Sequence, residues 1–169
     1  MTTTIFEKAD VTLPSDSEVE VVRSFRAPRA LVYRAWTEPA LVRQWMLGPP
    51  GWTMPGCEMD VRPGGAYAWR WRSEDGSGEF GFFGTYREVD PGRRLVHTEQ
   101  FDPGSTGEAT GDGVAIVTVS FDGDGDITTV TTRMDFGSKA NRDAAMATGM
   151  TGGMEQSYQL LDKLVVAGV

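Results

Sequence analysis

The chain has one histidine, His97, and two positions further on stands Glu99. Both fall in a run that alternates like a strand, where residues i and i+2 point to the same face. An imidazole beside a carboxylate can accept and return a proton, so this is the best acid–base pair available. The plainer reading is a solvated or hydrogen-bonded structural pair, since such spacing arises often by chance. Arg133 and Asp135 share the same spacing. A buried Arg there could anchor a ligand carboxylate, but a cross-strand ion pair is the simpler expectation.

Other chemistries are excluded or weakened. A single histidine rules out two-His metal motifs, and a single cysteine, Cys57, rules out an internal disulfide or a Cys-based zinc cluster. Cys57 is expected to pack as a small buried side chain. Asp122, Asp124 and Asp126 mimic the start of a calcium loop, but the twelfth position holds Arg133 instead of Glu. A turn is the better reading. No Gly-rich stretch joins a strand to a helix with a phosphate-binding Lys. Neither a metal nor a cofactor is expected.

The remaining candidates are aromatic and thioether side chains. Tyr67, Trp69 and Trp71 alternate onto one strand face. They either form the core under a helix or line a pocket for a flat, apolar ligand. In the second case Trp45 and Met46 would close one end, and Met146, Met150 and Met154 the other. Methionine adapts to irregular space, which suits either reading. Tyr86 and His97 are further candidates for the lining. Phe80, Phe82, Gly84 and Tyr86 share one face, while Phe83 falls on the other and marks an outer patch. That patch is an expected homodimer contact, or it packs under the N-terminal arm.

These residues need elements to hold them. Residues 1–17 read as an arm, flexible or adding one edge strand, and 18–169 as a single domain. The segment 19–25 alternates as a strand. Ala27-Pro28 opens a helix, because Pro fits a first turn. Thr37-Glu38-Pro39 starts a second short helix with Thr37 as its cap. Gly48-Pro49-Pro50-Gly51 ends it. From 52 to 136 about six strands follow one another, separated by turns such as Glu74-Asp75-Gly76-Ser77-Gly78 and by a long loop over 102–113. A C-terminal helix follows. Gly149, Gly152 and Gly153 weaken it by about 1 kcal/mol each relative to Ala. They mark either a break near 149 or close backbone packing. Strands without interleaved helices give an antiparallel sheet and an α+β fold.

Composition limits the partners. The 169 residues include 40% hydrophobic and 24% charged side chains, and the net charge is −8. Nucleic acid as the main partner is disfavoured, because phosphates need a basic face. The start of the chain has no basic region followed by an apolar run, and no stretch approaches the ~18 apolar residues of a membrane span. A cytoplasmic setting without membrane insertion is the expectation.

The string from Arg26 through Ala27, Pro28, Arg29, Ala30 and Leu31 to Trp36-Thr37-Glu38-Pro39 resembles the opening of the SRPBCC (START-like) superfamily. More narrowly, it resembles the branch named for the activator of heat-shock protein 90 ATPase. Trp45, Asp60-Val61-Arg62-Pro63-Gly64-Gly65, Gly84-Thr85-Tyr86-Arg87-Glu88-Val89 and Gly149-Met150-Thr151-Gly152-Gly153-Met154 add to the match, which covers about 18–167. The resemblance implies a helix-grip fold: a curved antiparallel sheet around a long C-terminal helix, with a ligand-sized cavity between them. The family pattern often has Trp where this chain has Met154, and the smaller side chain would enlarge the cavity. The superfamily includes lipid carriers, cyclases, aromatases and chaperone activators. A chaperone partner is disfavoured, because the activator itself uses a separate N-terminal domain for which this chain has no room. Three readings follow: a carrier of a small hydrophobic or aromatic molecule, a cyclase-, dehydratase- or hydrolase-like enzyme using His97 and Glu99, and a stress-response interaction module.

Overall fold

The first β-branched run forms a strand because its alternation matches a sheet with one face buried. In β2 (Glu18–Phe25) the inward set Val19, Val21, Arg23 and Phe25 is buried throughout. The computed structural model describes residues 4–104, 113–123 and 125–168. The expected loop over 102–113 therefore lies largely outside the described residues, as does part of the turn at 122–126. Within the arm, β1 (Asp10–Thr12) pairs with β2 and supplies the edge strand.

Two short helices follow, α1 (Arg29–Thr37) and α2 (Pro39–Trp45). Pro28 precedes α1 in extended backbone, and Pro39 takes the first position of α2. The cap of α2 is Glu38, not Thr37. Thr37 still belongs to α1, and its hydroxyl donates back to the Tyr33 carbonyl at 3.0 Å.

Six strands come next: β3 (Trp52–Met59), β4 (Ala66–Ser73), β5 (Glu79–Asp90), β6 (Arg94–Asp102), β7 (Ala115–Asp122) and β8 (Thr128–Asp135). With β1 and β2 they form one eight-stranded sheet in the order β1-β2-β8-β7-β6-β5-β4-β3. Every neighbouring pair is antiparallel. Register shifts in β3 and in β5, between Tyr86 and Glu88, bend this half of the sheet. Since β2 and β3 lie toward opposite ends of the sheet, α1 and α2 must carry the chain across its inner side.

The C-terminal helix is two helices. α3 (Lys139–Ala147) is capped by Ser138, whose Oγ accepts from the Asn141 N–H at 3.1 Å. α4 (Met150–Val166) starts after Gly149, whose φ of +80° a side-chain-bearing residue rarely adopts. The three glycines therefore have different roles. Gly149 breaks the helix. Added Cβ atoms at Gly152 and Gly153 would meet nothing closer than the Pro49 side chain at 4.0 Å, so these two border open space and are not packed tightly on the sheet.

Two clusters fill the interior. One joins Phe25, Trp36, Trp45, Phe121 and Tyr158, with ring centroids 4.6 Å apart for Trp36–Trp45 and 5.5 Å for Phe25–Tyr158. The other lies between α2 and the β3–β5 end and holds Val42, Cys57, Tyr67, Trp69 and Tyr86. Cys57 is buried, and burial raises its thiol pKa. On the outer face, Arg133 pairs with Glu18 across the strands at 2.6 Å, and Phe83 is 42% exposed.

The seat of α4 is an ion cluster at Arg23, which is only 2% exposed. Its Nε lies 3.0 Å from Glu155 and its Nη2 lies 2.7 Å from Asp162, two acids on one face of α4 and about two turns apart. Glu155 also accepts from the Ala9 N–H at 2.7 Å, which ties in the arm. Removing one partner of such a cluster leaves buried charge uncompensated. Arg23→Met should therefore lower unfolding free energy by roughly 2–4 kcal/mol in urea denaturation, with the loss shrinking when Glu155→Gln is added.

Candidate functional site

Beside the aromatic cluster the inner sheet surface is hollow, and Trp36, Trp45 and Tyr158 of that cluster form part of the wall. A cavity of about 960 Å³ lies between β4–β8 and the helices. Its wall on β4 is Trp69 and Trp71, on β5 Phe80 and Phe82, and on β6 His97, Glu99 and Phe101. β7 adds Ala115, Val117 and Val119, and β8 adds Thr132 and Met134. Each set is one parity of its strand. The opposite side comes from Gly149, Met150, Gly153 and Met154 around the start of α4, and from Asn141 and Ala145 of α3.

The rim is pinned by hydrogen bonds that satisfy buried polar groups. Trp71 Nε1 donates to the Met46 carbonyl at 2.7 Å, and Trp45 Nε1 donates to the Ala35 carbonyl at 2.9 Å. The Gly48 N–H donates to Ser157 Oγ at 2.8 Å, tying the α2–β3 connection to α4. Among the described residues, Trp69 Nε1 is the buried side-chain polar atom without a partner.

The expected pocket residues divide into two groups. Trp45, Met46, Trp69, Trp71, His97, Met150 and Met154 line the cavity. Tyr67, Tyr86 and Met146 do not. Tyr67 and Tyr86 have the inward parity, but they sit further along their strands, where the second cluster packs solidly under α2. Met146 lies near the end of α3 and packs against the other cluster. Residues not singled out from the sequence also line the cavity: Trp36, Trp52, Phe101, Met134, Phe136 and Tyr158. Phe101 was legible, since it continues the His97, Glu99 alternation on β6. The others depend on where helices cross the sheet, which periodicity does not encode.

His97 is 5% exposed. Its Nδ1 lies 3.0 Å from the Thr98 carbonyl and 3.1 Å from Tyr67 Oη. Tyr67 Oη already donates to that same carbonyl, at 2.6 Å. Tyr67 therefore accepts from His97, and Nδ1 carries the proton. Nε2 is left as a lone-pair acceptor at the cavity wall. Burial lowers the His97 pKa to about 4, against the pull of the Thr98 hydrogen bond, so the ring is neutral at physiological pH.

Glu99 has the opposite shift. Burial raises its pKa to about 7, and among the described residues its carboxyl has no hydrogen-bond or ion-pair partner. Asp102, on the same strand, contrasts with it: Arg70 holds that carboxylate at 2.7 Å and keeps its pKa low. Tyr67 is pushed up by burial and by the nearby Glu99 charge. The cavity thus holds an imidazole that resists protonation and a carboxyl that resists ionisation.

These shifts affect stability in opposite directions. The folded state binds Glu99's proton more tightly than the unfolded chain does, so that contribution falls as pH rises from about 4.5 to about 7. The His97 contribution rises with pH between about 4 and 6.5. Glu99→Gln removes only the first. The stability difference between Glu99→Gln and the unaltered protein should therefore grow in the variant's favour by roughly 2–3 kcal/mol between pH 4.5 and pH 7.5, measured by urea denaturation across that range.

Comparison with known proteins places this architecture. The model of the family described as Activator of Hsp90 ATPase homolog 1-like protein matches residues 26–166. No curated protein matches the sequence. Among solved structures, a protein from Rhodobacter sphaeroides is 27% identical with a TM-score of 0.84, covering 95% of this chain and 99% of that one. A protein from Mycobacterium smegmatis is 19% identical with a TM-score of 0.80, covering 92% and 94%. The fold is shared again with an AHSA1-like protein from Aeromonas hydrophila at 21% identity and a TM-score of 0.66, covering 86% and 93%. The matched span includes both short helices, the cavity strands and α4, and the chain belongs to the Activator of Hsp90 ATPase homolog 1-like protein family.

Proposed function

We propose that the protein binds a small, largely apolar molecule with an aromatic portion in the cavity between the sheet and α4. The observation that carries this reading is the cavity itself: about 960 Å³ lined by indole and phenyl faces, thioethers and aliphatic side chains, with few polar groups. Such a volume lies at the upper end of small-molecule sites, which combine apolar walls with a few polar anchors. Burying about 300 Å² of apolar ligand surface contributes about 7 kcal/mol before the cost of association is subtracted. That is enough for a specific complex without a metal or a covalent bond.

Two other readings have less support. The two groups of a His–carboxylate dyad share a hydrogen bond, and none joins His97 to Glu99: His97 Nδ1 bonds the Thr98 carbonyl and Tyr67 instead. An interaction module would gain nothing from a hollow interior. Among the described residues the exposed large hydrophobics are mostly scattered: Leu13, Phe83 and Val166 lie on separate segments, and Ile5 and Val166 meet only at a small groove of about 100 Å³.

The test uses the neutral dye Nile red and a variant that fills the hollow. Val117 is 4% exposed and lies on the cavity wall in β7. Val117→Phe should bind the dye at least about tenfold more weakly than the unaltered protein in an emission titration, a loss of about 1.4 kcal/mol. Equal affinity in both proteins, or no binding in either, would refute a guest in this cavity.

A further inference from the structure

The charge inventory of the cavity is lopsided. Among the described residues its lining includes one carboxyl, Glu99, and no Lys or Arg. The sequence between Arg94 and Arg133 contains no Lys or Arg at all. Several half-buried acids elsewhere have cationic partners: Glu155 and Asp162 hold Arg23, and Glu79 and Asp102 hold Arg70. Glu99 has none among the described residues. Trp69, Phe82 and Phe101 line the same cavity, Phe101 two residues along the same strand face, and its opposite number on β7 is Ala115.

An unpaired carboxyl among aromatic rings lacks the one group that would stabilise it, a positive charge. Aromatic faces attract cations through their quadrupole, most strongly where water is excluded. An anionic guest would meet Glu99 with no base to offset it. The net charge of −8 adds a long-range attraction for cations.

We propose that the cavity selects lipophilic cations, namely aromatic or hydrophobic amines and quaternary ammonium compounds, whose positive group sits against the Glu99 carboxylate within the ring of aromatic faces. This rests on the reading that the cavity binds small molecules, and it names their class. His97 supports it by staying neutral and offering a lone pair, so it does not repel the guest. The wall also governs pH dependence. Among the described residues, the titratable groups on the elements around Glu99 are His97 on its own strand and Tyr67 on β4; β7 presents Ala115 and Val117, and α3 and α4 contribute only uncharged side chains to the lining, of which Tyr158 titrates at about 12. A permanently charged guest must displace the Glu99 proton. Its apparent affinity should therefore rise about tenfold per pH unit below about pH 7 and level off above it.

The test compares three dyes on the full chain at pH 8: crystal violet, a permanent cation; Nile red, neutral; and 1-anilinonaphthalene-8-sulfonate, an anion. Crystal violet should bind Glu99→Gln at least about tenfold more weakly than the unaltered protein. Nile red should bind both within about twofold, and the anion should bind better once the carboxylate is gone. Lowering the pH to 6 should weaken crystal violet binding to the unaltered protein by about tenfold, a measurement that needs no variant. If Nile red binds but crystal violet shows neither the Glu99→Gln loss nor the pH dependence, cation selection is wrong and the cavity reading stands. If no dye binds, the cavity reading fails and takes cation selection with it.

Discussion

The fold depends on how a single helix is fastened to a sheet wider than itself. Arg23 projects inward from β2 and grips α4 at Glu155 and Asp162, so the helix is fixed over the β2 side. The aromatic cluster around Trp36 and Tyr158 fills the space beneath that attachment. A helix about 10 Å across cannot also cover the strands on the far side. Those strands are bent toward it by irregularities in β3 and β5, and a space is left where the helix does not reach. The cavity is what remains once the clamp position is fixed and small residues stand at the start of α4.

The two inner regions differ because they are closed by different elements. Under α2, Val42 belongs to one buried cluster with Cys57, Tyr67 and Tyr86. Under the start of α4, three glycines and two methionines stand where larger side chains would fill the gap. The polar groups are placed accordingly. Tyr67 is locked into backbone and His97, Trp71 is locked to Met46, and only groups at the hollow keep unused capacity. A buried polar group left unmatched costs free energy, so its persistence at a cavity wall differs in kind from one in solid core.

Much of this was legible in the chain. The strict alternation of 66–72 fixed which aromatics face inward, Pro28 and Pro39 marked both short helices, and the pairing of His97 with Glu99 on one face follows from period two alone. What periodicity cannot give is position along a strand. Tyr67 and Trp69 share a face, yet one is sealed under α2 and the other lines the hollow. That difference is set by where the helices cross, a tertiary fact. The break near 149 was one of two readings of the glycines, and the left-handed Gly149 makes it; the separate helix α3 before it was not read from the sequence.

All five tryptophans of the chain, Trp36, Trp45, Trp52, Trp69 and Trp71, belong to the lining of this one space. The molecule's entire indole absorption and emission therefore originates around a single void. An ultraviolet signal followed during heating would register the loss of that chamber, whereas circular dichroism would register the loss of the sheet. Wherever the two curves separate, their gap measures how far the chamber loosens while the backbone around it remains intact.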